Sequence, residues 1–273
     1  MPSQLKPVDA MINTSEEERQ ISERRKKKVS SILVSQPKPK NPNSPYLKLA
    51  DKYGLKIDFR PFIKIDPVTL KEFRQQKIDV LAHSAVIFTS RNAVDHFFRL
   101  CSESKIEVPA DMKYFCISEQ TANYLQKYIV IRKRKIFTGS RTAADLIDIL
   151  KKHKGEKFVF PCSNIRKNDI PEFLEENGYE HSEATIYNTV ASDLSDLADV
   201  NYDLIAFFSP SGINSLFVNF PEFKQNKTRI AGFGPATSQA VRDHGLLLDI
   251  EAPLPNAPSM TGALELYIKE ANS

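Results

Sequence analysis

Short apolar runs alternate with amphipathic stretches along most of the chain. The first run, Val29-Ser-Ser-Ile-Leu-Val-Ser35, is β-rich and is followed by a proline-punctuated loop over 36–45. A helix-like stretch over 46–53 comes next and is stopped by Gly54. Apolar run, loop, helix and glycine make one βα unit. The same order of signals recurs at 86–98, 113–128, 136–152, 157–178, 204–217, 229–245 and 249–270. Eight such units without meanders predict an α/β protein whose parallel sheets are covered on both faces. Residues 1–28 contain Pro2 and Pro7 and show no apolar period, which predicts a disordered leader.

The units repeat one another. Val86-Ile-Phe-Thr-Ser-Arg-Asn-Ala-Val-Asp-His-Phe-Phe98 aligns with Ile205-Ala-Phe-Phe-Ser-Pro-Ser-Gly-Ile-Asn-Ser-Leu-Phe217, with Ser90 over Ser209. Ile117–Ala122 then lies over Phe233–Ser238, with Thr121 over Thr237, and 137–150 lies more loosely over 254–268. The fourth pair breaks the order: the unit ending at Gly178 corresponds to the one ending at Gly54, which comes first in the chain. A duplication of this length indicates two similar domains rather than a solenoid. The fold class expected is therefore α/β, with two similar doubly wound parallel-sheet domains joined by a two-stranded antiparallel connector.

The expected boundaries are 29–54 plus 193–273 for a discontinuous domain, 66–182 for a continuous one, and 55–65 with 183–192 for the connector. Leu55, Ile57, Phe59, Ile63 and Ile65 alternate with polar residues, with Pro61 in phase. The return, Glu183–Val190, alternates more weakly. Two oppositely directed crossings can pair as an antiparallel ribbon, on which Pro61 is tolerated as an edge residue, and so thin a connection would act as a hinge.

Composition narrows the chemistry. Among 273 residues the net charge is only +4, and the basic runs Arg24–Lys28 and Arg132–Lys135 are short and separate. That favours a solvated tail and a solvated strand end over the concentrated basic surface of a nucleic-acid binder. The longest apolar run, Leu204–Phe208, is too short to span a bilayer, and no signal peptide opens the chain. Cys101, Cys116 and Cys162 are odd in number and lack both C-x-x-C spacing and neighbouring histidines. Neither a disulfide framework nor a metal site is expected. The expectation is a soluble, reduced, cytoplasmic monomer without a metal site. Glycine is scarce, at 9 residues, and only Gly232 and Gly234 stand close together.

Small polar residues follow the apolar runs repeatedly: Thr89-Ser90-Arg91-Asn92, Pro161-Cys162-Ser163-Asn164, Ser209-Pro210-Ser211-Gly212 and Gly232-Phe233-Gly234-Pro235-Ala236-Thr237. In parallel α/β sheets ligands sit beyond the carboxyl ends of the strands. There, free amides, hydroxyls and the positive ends of helix dipoles suit phosphate or carboxylate. Each loop also reads as ordinary N-capping; the recurrence favours a large polyanion in a cleft between the domains. Lys38, Arg91, Arg166 and Lys167 could pair with carboxylates. The Gly232 loop lacks the third glycine of a dinucleotide fingerprint, and no Walker loop, H-E-x-x-H or G-x-S-x-G is present. Tyr187, on the returning strand, could donate a proton to a leaving group, although an aromatic residue is also ordinary strand material.

Taken together, Val86–Val94 (VIFTSRNAV), Phe160–Ile165 (FPCSNI), Thr185–Val190 (TIYNTV), Phe207–Gly212 (FFSPSG) and Gly232–Thr237 (GFGPAT) resemble the uroporphyrinogen-III synthase family, in its order and over about 29–270. The resemblance implies two α/β domains, the first discontinuous, joined by a two-stranded connector. It also implies a cofactor-free lyase acting on a small molecule, the linear tetrapyrrole polycarboxylate hydroxymethylbilane, with no nucleic-acid or membrane partner and a transient contact with hydroxymethylbilane synthase. Water would be lost, and ring D would close with inversion through a spiro intermediate to give uroporphyrinogen III.

Carried over by position, Tyr187 matches the family's proposed acid, Thr237 its cleft threonine, and Ser90 and Ser209 the serines after two strands. The substrate-binding set expected is Thr89, Ser90, Arg91, Ser163, Asn164, Ser209, Ser211, Gly212, Gly234, Pro235, Ala236 and Thr237. One departure stands out: Ser118-Glu119 replaces the family's glycine and small residue, which would weaken an anion site on the middle domain. A non-catalytic binding protein on the same fold is the alternative, since fold alone does not assign function.

Overall fold

The computed structural model describes residues 27–273 together with Glu23, so the leader expected over 1–28 lies almost wholly outside the described residues. The chain divides into two compact units. The first comprises the described part of Met1–Lys64 together with Val190–Ser273, and the second comprises Ile65–Thr189.

In the first unit, β1 (Ser31–Val34), β2 (Lys56–Phe59), β9 (Leu204–Phe207), β10 (Arg229–Phe233) and β11 (Ile250–Ala252) form a sheet in the order β11-β10-β9-β1-β2. Every neighbouring pair is parallel. Helices α1 (Pro45–Tyr53) and α9 (Met260–Ala271) cover one face, and α7 (Pro210–Asn219) and α8 (Pro235–Asp243) cover the other. The two-residue strand period distributes the apolar runs between these layers. Ile32 and Val34 pack with Leu49, Leu264 and Ile268, whereas Leu33 packs with Ile213, Leu216 and Val241. Because both faces are covered, the central strand β9 is apolar throughout and β1 is apolar after Ser31. Helix α1 stops at Gly54, whose φ of +62° is left-handed backbone that a residue with Cβ resists.

The second unit has the sheet order β3-β8-β7-β4-β5-β6, built from β3 (Ile63–Pro67), β4 (Ala85–Phe88), β5 (Lys113–Cys116), β6 (Ile136–Thr138), β7 (Phe158–Ser163) and β8 (His181–Ala191). Its helices are α2 (Leu70–Gln75), α3 (Arg91–Glu103), α4 (Glu119–Tyr124), α5 (Ala143–Leu150) and α6 (Asp169–Glu176). Strands β8-β7-β4-β5-β6 occupy the places of β2-β1-β9-β10-β11, so both sheets are doubly wound, with the order 2-1-3-4-5 in the first unit and its circular permutation 5-4-1-2-3 in the second. The winding reverses between β1 and β9 in the first unit and between β7 and β4 in the second. Loops leaving the carboxyl ends of those strands flank a crevice in each unit.

The crossing strands differ from a free ribbon. The segment expected as one strand over 55–65 is two. β2 pairs in parallel with β1 from Ser31↔Lys56 to Val34↔Phe59, and β3 edges the other sheet. The break falls at 60–62, where Pro61 has no N–H to continue a ladder. There Arg60 is held by Asp196 and by the Asp193 carbonyl, and Phe62 is 1% exposed in the first unit's core. The return strand, expected over 183–192, begins at His181 and pairs in parallel with β7 from Phe158↔His181 onward. Its other edge lies beside β3, where Val68 N donates to Ile186 O and Ser192 N to Phe62 O, an antiparallel pattern. Among the described residues no helix is long and apolar enough to cross a membrane.

Candidate functional site

In the second unit, Thr89, Ser90 and Arg91 join β4 to α3 at the winding reversal. Ser90 caps α3: its Oγ accepts the Ala93 amide at 3.0 Å. The same oxygen lies 3.2 Å from the Tyr187 hydroxyl. Tyr187 reaches it through an irregularity in the ladder. Cys162 pairs with Thr185, but Ser163 pairs with Tyr187, so β8 carries one residue more than β7 at this step. Such a bulge re-aims a side chain. Here Ile186 and Tyr187, adjacent in the chain, both pack into the core layer beneath α3 instead of alternating across the sheet.

Tyr187 is 8% exposed, and burial pushes its phenol above the ordinary tyrosine range, against the opposing contact from Ser90. The hydroxyl therefore keeps its proton at neutral pH. The ring stacks on His96 of α3, with centroids 5.2 Å apart and planes at 29°. Burial, reinforced by Arg99 and opposed by Asp95, holds His96 below the ordinary histidine range. Its Nδ1 is buried with no hydrogen-bond partner. Nothing in the sequence marked His96, because its role depends on which helix face meets β8.

Ser163 and Asn164 close on themselves. Ser163 Oγ donates to Asn164 Oδ1 at 2.9 Å and lies 3.0 Å from Thr189 Oγ1, while Asn164 Oδ1 accepts the Thr189 amide at 2.8 Å. Arg91 is exposed, with its guanidinium 5.5 Å from the Tyr124 ring centroid. Arg166, a candidate for pairing with a ligand, is instead paired with Glu183 and donates to Asn168 at 2.6 Å.

In the first unit, Ser209 caps α7 by accepting the Gly212 amide at 3.3 Å. Gly234 opens α8 with φ +85°, a value only glycine adopts freely, and its amide donates to Ala252 O at 2.6 Å. Pro235 and Ala236 are exposed in the first turn of α8, and Thr237 is 2% exposed. The Thr237 amide donates to Gly234 O, while its hydroxyl forms no hydrogen bond within the described structure. Ser35, absent from the expected set, ends β1 beside α7. The signal that picks out Ser90 and Ser209, a serine directly after a buried apolar run, picks out Ser35 as well. A cavity of about 910 Å³ in this unit lies elsewhere: the segments 197–203 and 219–228 that line it lead into β9 and β10 at their opposite ends. It therefore lacks the helix N-termini that would attract an anion.

The expected residues thus fall into two groups, one on each unit. Within the second, Ser90 and Tyr187 meet directly; within the first, Ser209, Ser211 and Gly212 share one helix turn, and Gly234 to Thr237 share another. Among the described residues no group of three or more His, Cys, Asp or Glu could hold a metal ion. Burial raises the Cys116 thiol to about 12 and the Cys162 thiol to about 11, which leaves neither as a thiolate nucleophile at neutral pH.

Against known proteins, the family model described as uroporphyrinogen-III synthase HemD matches residues 44–262, most of the chain. The uroporphyrinogen-III synthase of Saccharomyces cerevisiae is 24% identical over 208 residues, covering 67% of this chain and 75% of that protein. Among solved structures, a uroporphyrinogen-III synthetase from Helicobacter pylori aligns with TM-score 0.58 at 18% identity, covering 88% of this chain and 99% of its own. A mutant uroporphyrinogen III synthase from Thermus thermophilus aligns with TM-score 0.57 at 16% identity, with the same coverages. At those identities the structural likeness shows the fold.

Proposed function

The chain belongs to the uroporphyrinogen-III synthase family, and we propose that it cyclises hydroxymethylbilane to uroporphyrinogen III, losing water and inverting ring D, in tetrapyrrole biosynthesis. It is a cyclising lyase. The linear substrate carries acetate and propionate groups on every ring and, left to itself, closes without inversion. The enzyme's task is to hold a folded conformer in which the substituted α-carbon of ring D attacks first. Positioning of that kind supplies most of the rate advantage of intramolecular reactions, and the carboxylates give the protein its handholds.

The observation that carries the residue assignment is the Ser90–Tyr187 pair. Departure of the substrate hydroxyl needs a proton, and a phenol is a competent donor only while it stays neutral. Burial keeps Tyr187 neutral. With its Oγ already accepting the Ala93 amide, Ser90 can turn its own proton toward the Tyr187 oxygen, leaving the phenol proton free to point outward. The azafulvene left behind is captured by ring D, and the spiro intermediate then fragments and recloses. Arg91, exposed beside this pair, is suited to a substrate carboxylate. In the first unit the free amides of Ser211 and Ala236 and the hydroxyls of Ser209, Ser211 and Thr237 would bind further carboxylates, on the turns that Gly212, Gly234 and Pro235 help to shape.

The test supplies freshly prepared hydroxymethylbilane and separates the oxidised porphyrins by isomer. Isomer III above the enzyme-free blank is the expected result. Isomer I alone would overturn the reading.

A further inference from the structure

Resting on that reading, we infer that Gln76 is a positioning residue for Tyr187: its side-chain amide takes the place of a missing strand beside the bulge that aims the phenol. Gln76 Nε2 donates to Thr185 O at 2.7 Å, and Gln76 Oε1 accepts the Thr185 amide at 2.9 Å. One side chain thus satisfies both backbone groups of one strand residue, as a neighbouring strand would. A primary amide can do this because it carries a donor and an acceptor side by side.

The need for a stand-in comes from the end of β3. Val68 N still reaches Ile186 O at 3.2 Å, but Thr69 leaves the sheet to cap α2 in a capping box with Glu72. No strand backbone then remains for Thr185, and backbone groups shielded from water need partners. Gln76 follows α2 directly, and that helix is fixed at both ends. Its start is held by the capping box, and Phe73, 5% exposed, packs into the core layer that contains Ile186 and Tyr187. Thr185 is also the last residue of β8 in register before the extra one. Its carbonyl and that of Ile186 both accept from the β3 edge, whereas successive carbonyls of a regular strand point to opposite edges. On the other edge Asn164 N donates to Tyr187 O at 3.3 Å, and Asn164 Oδ1 accepts the Thr189 amide. The bulge is therefore gripped from both sides, once by the residue after β7 and once by a side chain 109 positions away. Releasing Thr185 lets the step relax toward regular alternation, which turns Tyr187 to the other face, away from Ser90 and His96.

A double-mutant cycle reads this coupling directly. Gln76→Ala removes both bonds, and Gln76→Met removes them while keeping the length of the side chain. Each should lower kcat about tenfold, through misplacement of the proton donor, with the dissociation constant for uroporphyrinogen III, titrated anaerobically, within about twofold of wild type. In a Tyr187→Phe background, where no phenol is left to aim, the same substitutions should change kcat by less than about twofold. A loss of equal size in both backgrounds overturns the inference, because Gln76 would then serve the fold in general. Wild-type kcat in a folded variant overturns it as well, and so does failure of both variants to fold. The Tyr187→Phe single variant and the isomer assay on the wild type keep the two levels apart. Isomer I alone from the wild type, or unchanged turnover in Tyr187→Phe, overturns the proposed function or its residue assignment; a cycle without coupling overturns Gln76 alone.

Discussion

Equivalent turns in the two units treat the same threonine in opposite ways. After β5, Ser118 caps a short helix and its Oγ lies 3.2 Å from the hydroxyl of Thr121, which therefore has a partner inside the protein. After β10, Gly234 stands where Ser118 does, and the Thr237 hydroxyl has no partner among the described residues. The contrast extends along both rims. In the second unit Ser90 meets Tyr187, and Ser163 meets Asn164 and Thr189. In the first, Ser35 and Thr237 are buried with open hydroxyls. The duplicated scaffold has thus diverged into one rim whose polar groups bond one another and one on which two hydroxyls have no partner among the described residues. Two glycines follow the same division. A Cβ at Gly234 would meet nothing within 4 Å, whereas one at Gly139 in the second unit would lie 3.1 Å from Ile117 O and 3.2 Å from Leu146 N, so that glycine serves packing.

The sharpest way to break this contrast is to remove the phenol. Tyr187→Phe should lower turnover by about 10²-fold, the lower range of general-acid contributions, with uroporphyrinogen III affinity within about twofold of wild type. Unchanged turnover would take the chemistry away from the second unit. Next, Thr237→Val should weaken product binding about tenfold, the effect of a lost hydrogen bond to a charged group, while Thr121→Val leaves affinity unchanged. Equal losses would erase the difference between the rims.

A smaller effect concerns the ring that backs the phenol. His96→Phe keeps a flat partner for Tyr187 and should retain most turnover, whereas His96→Ala should lose about three- to tenfold by freeing the Tyr187 ring. The same residue carries a pH signature. With its folded pKa below the ordinary value, the unfolded chain binds the proton first as pH falls below about 6.5. The stability contributed by neutral His96 is thus present at neutral pH and lost on acidification. Denaturant midpoints at pH 7.5 and 5.5 should differ less in His96→Phe than in wild type, and equal differences would count against a buried neutral imidazole. Smallest of all, Ser118→Gly should cost a few tenths of a kcal/mol in capping and, by freeing Thr121, tighten product binding by less than about threefold. No gain would mean that the partner on Thr121 is not what separates the rims.

Much of this was legible in the residues. The apolar runs mark the parallel strands because strands covered on both faces need no polar side. The serines after those runs mark helix starts, since a capping oxygen must sit at that point; Ser90, Ser118 and Ser209 all cap. Tyr187 and Thr237 stood out through motif likeness. What was not legible depends on pairing. The split at Pro61 follows from which strand Lys56–Phe59 joins, and the closure of Ser163 on Thr189 follows from the neighbouring of β7 and β8.

The sequence by itself determined the strand and helix periods, the punctuation of the loops and the small polar residues at the strand ends. All of these depend on neighbours a few positions away. Only the tertiary structure decided which hydroxyls would be satisfied. One extra residue on β8 turns Tyr187 into the same layer as Ile186 and onto Ser90. Strand periodicity gives Tyr187 the opposite face and gives Ser35 only a place at the end of a strand. Hydrogen bonding between residues about a hundred positions apart depends on ladder register and helix packing, which the full set of tertiary contacts determines.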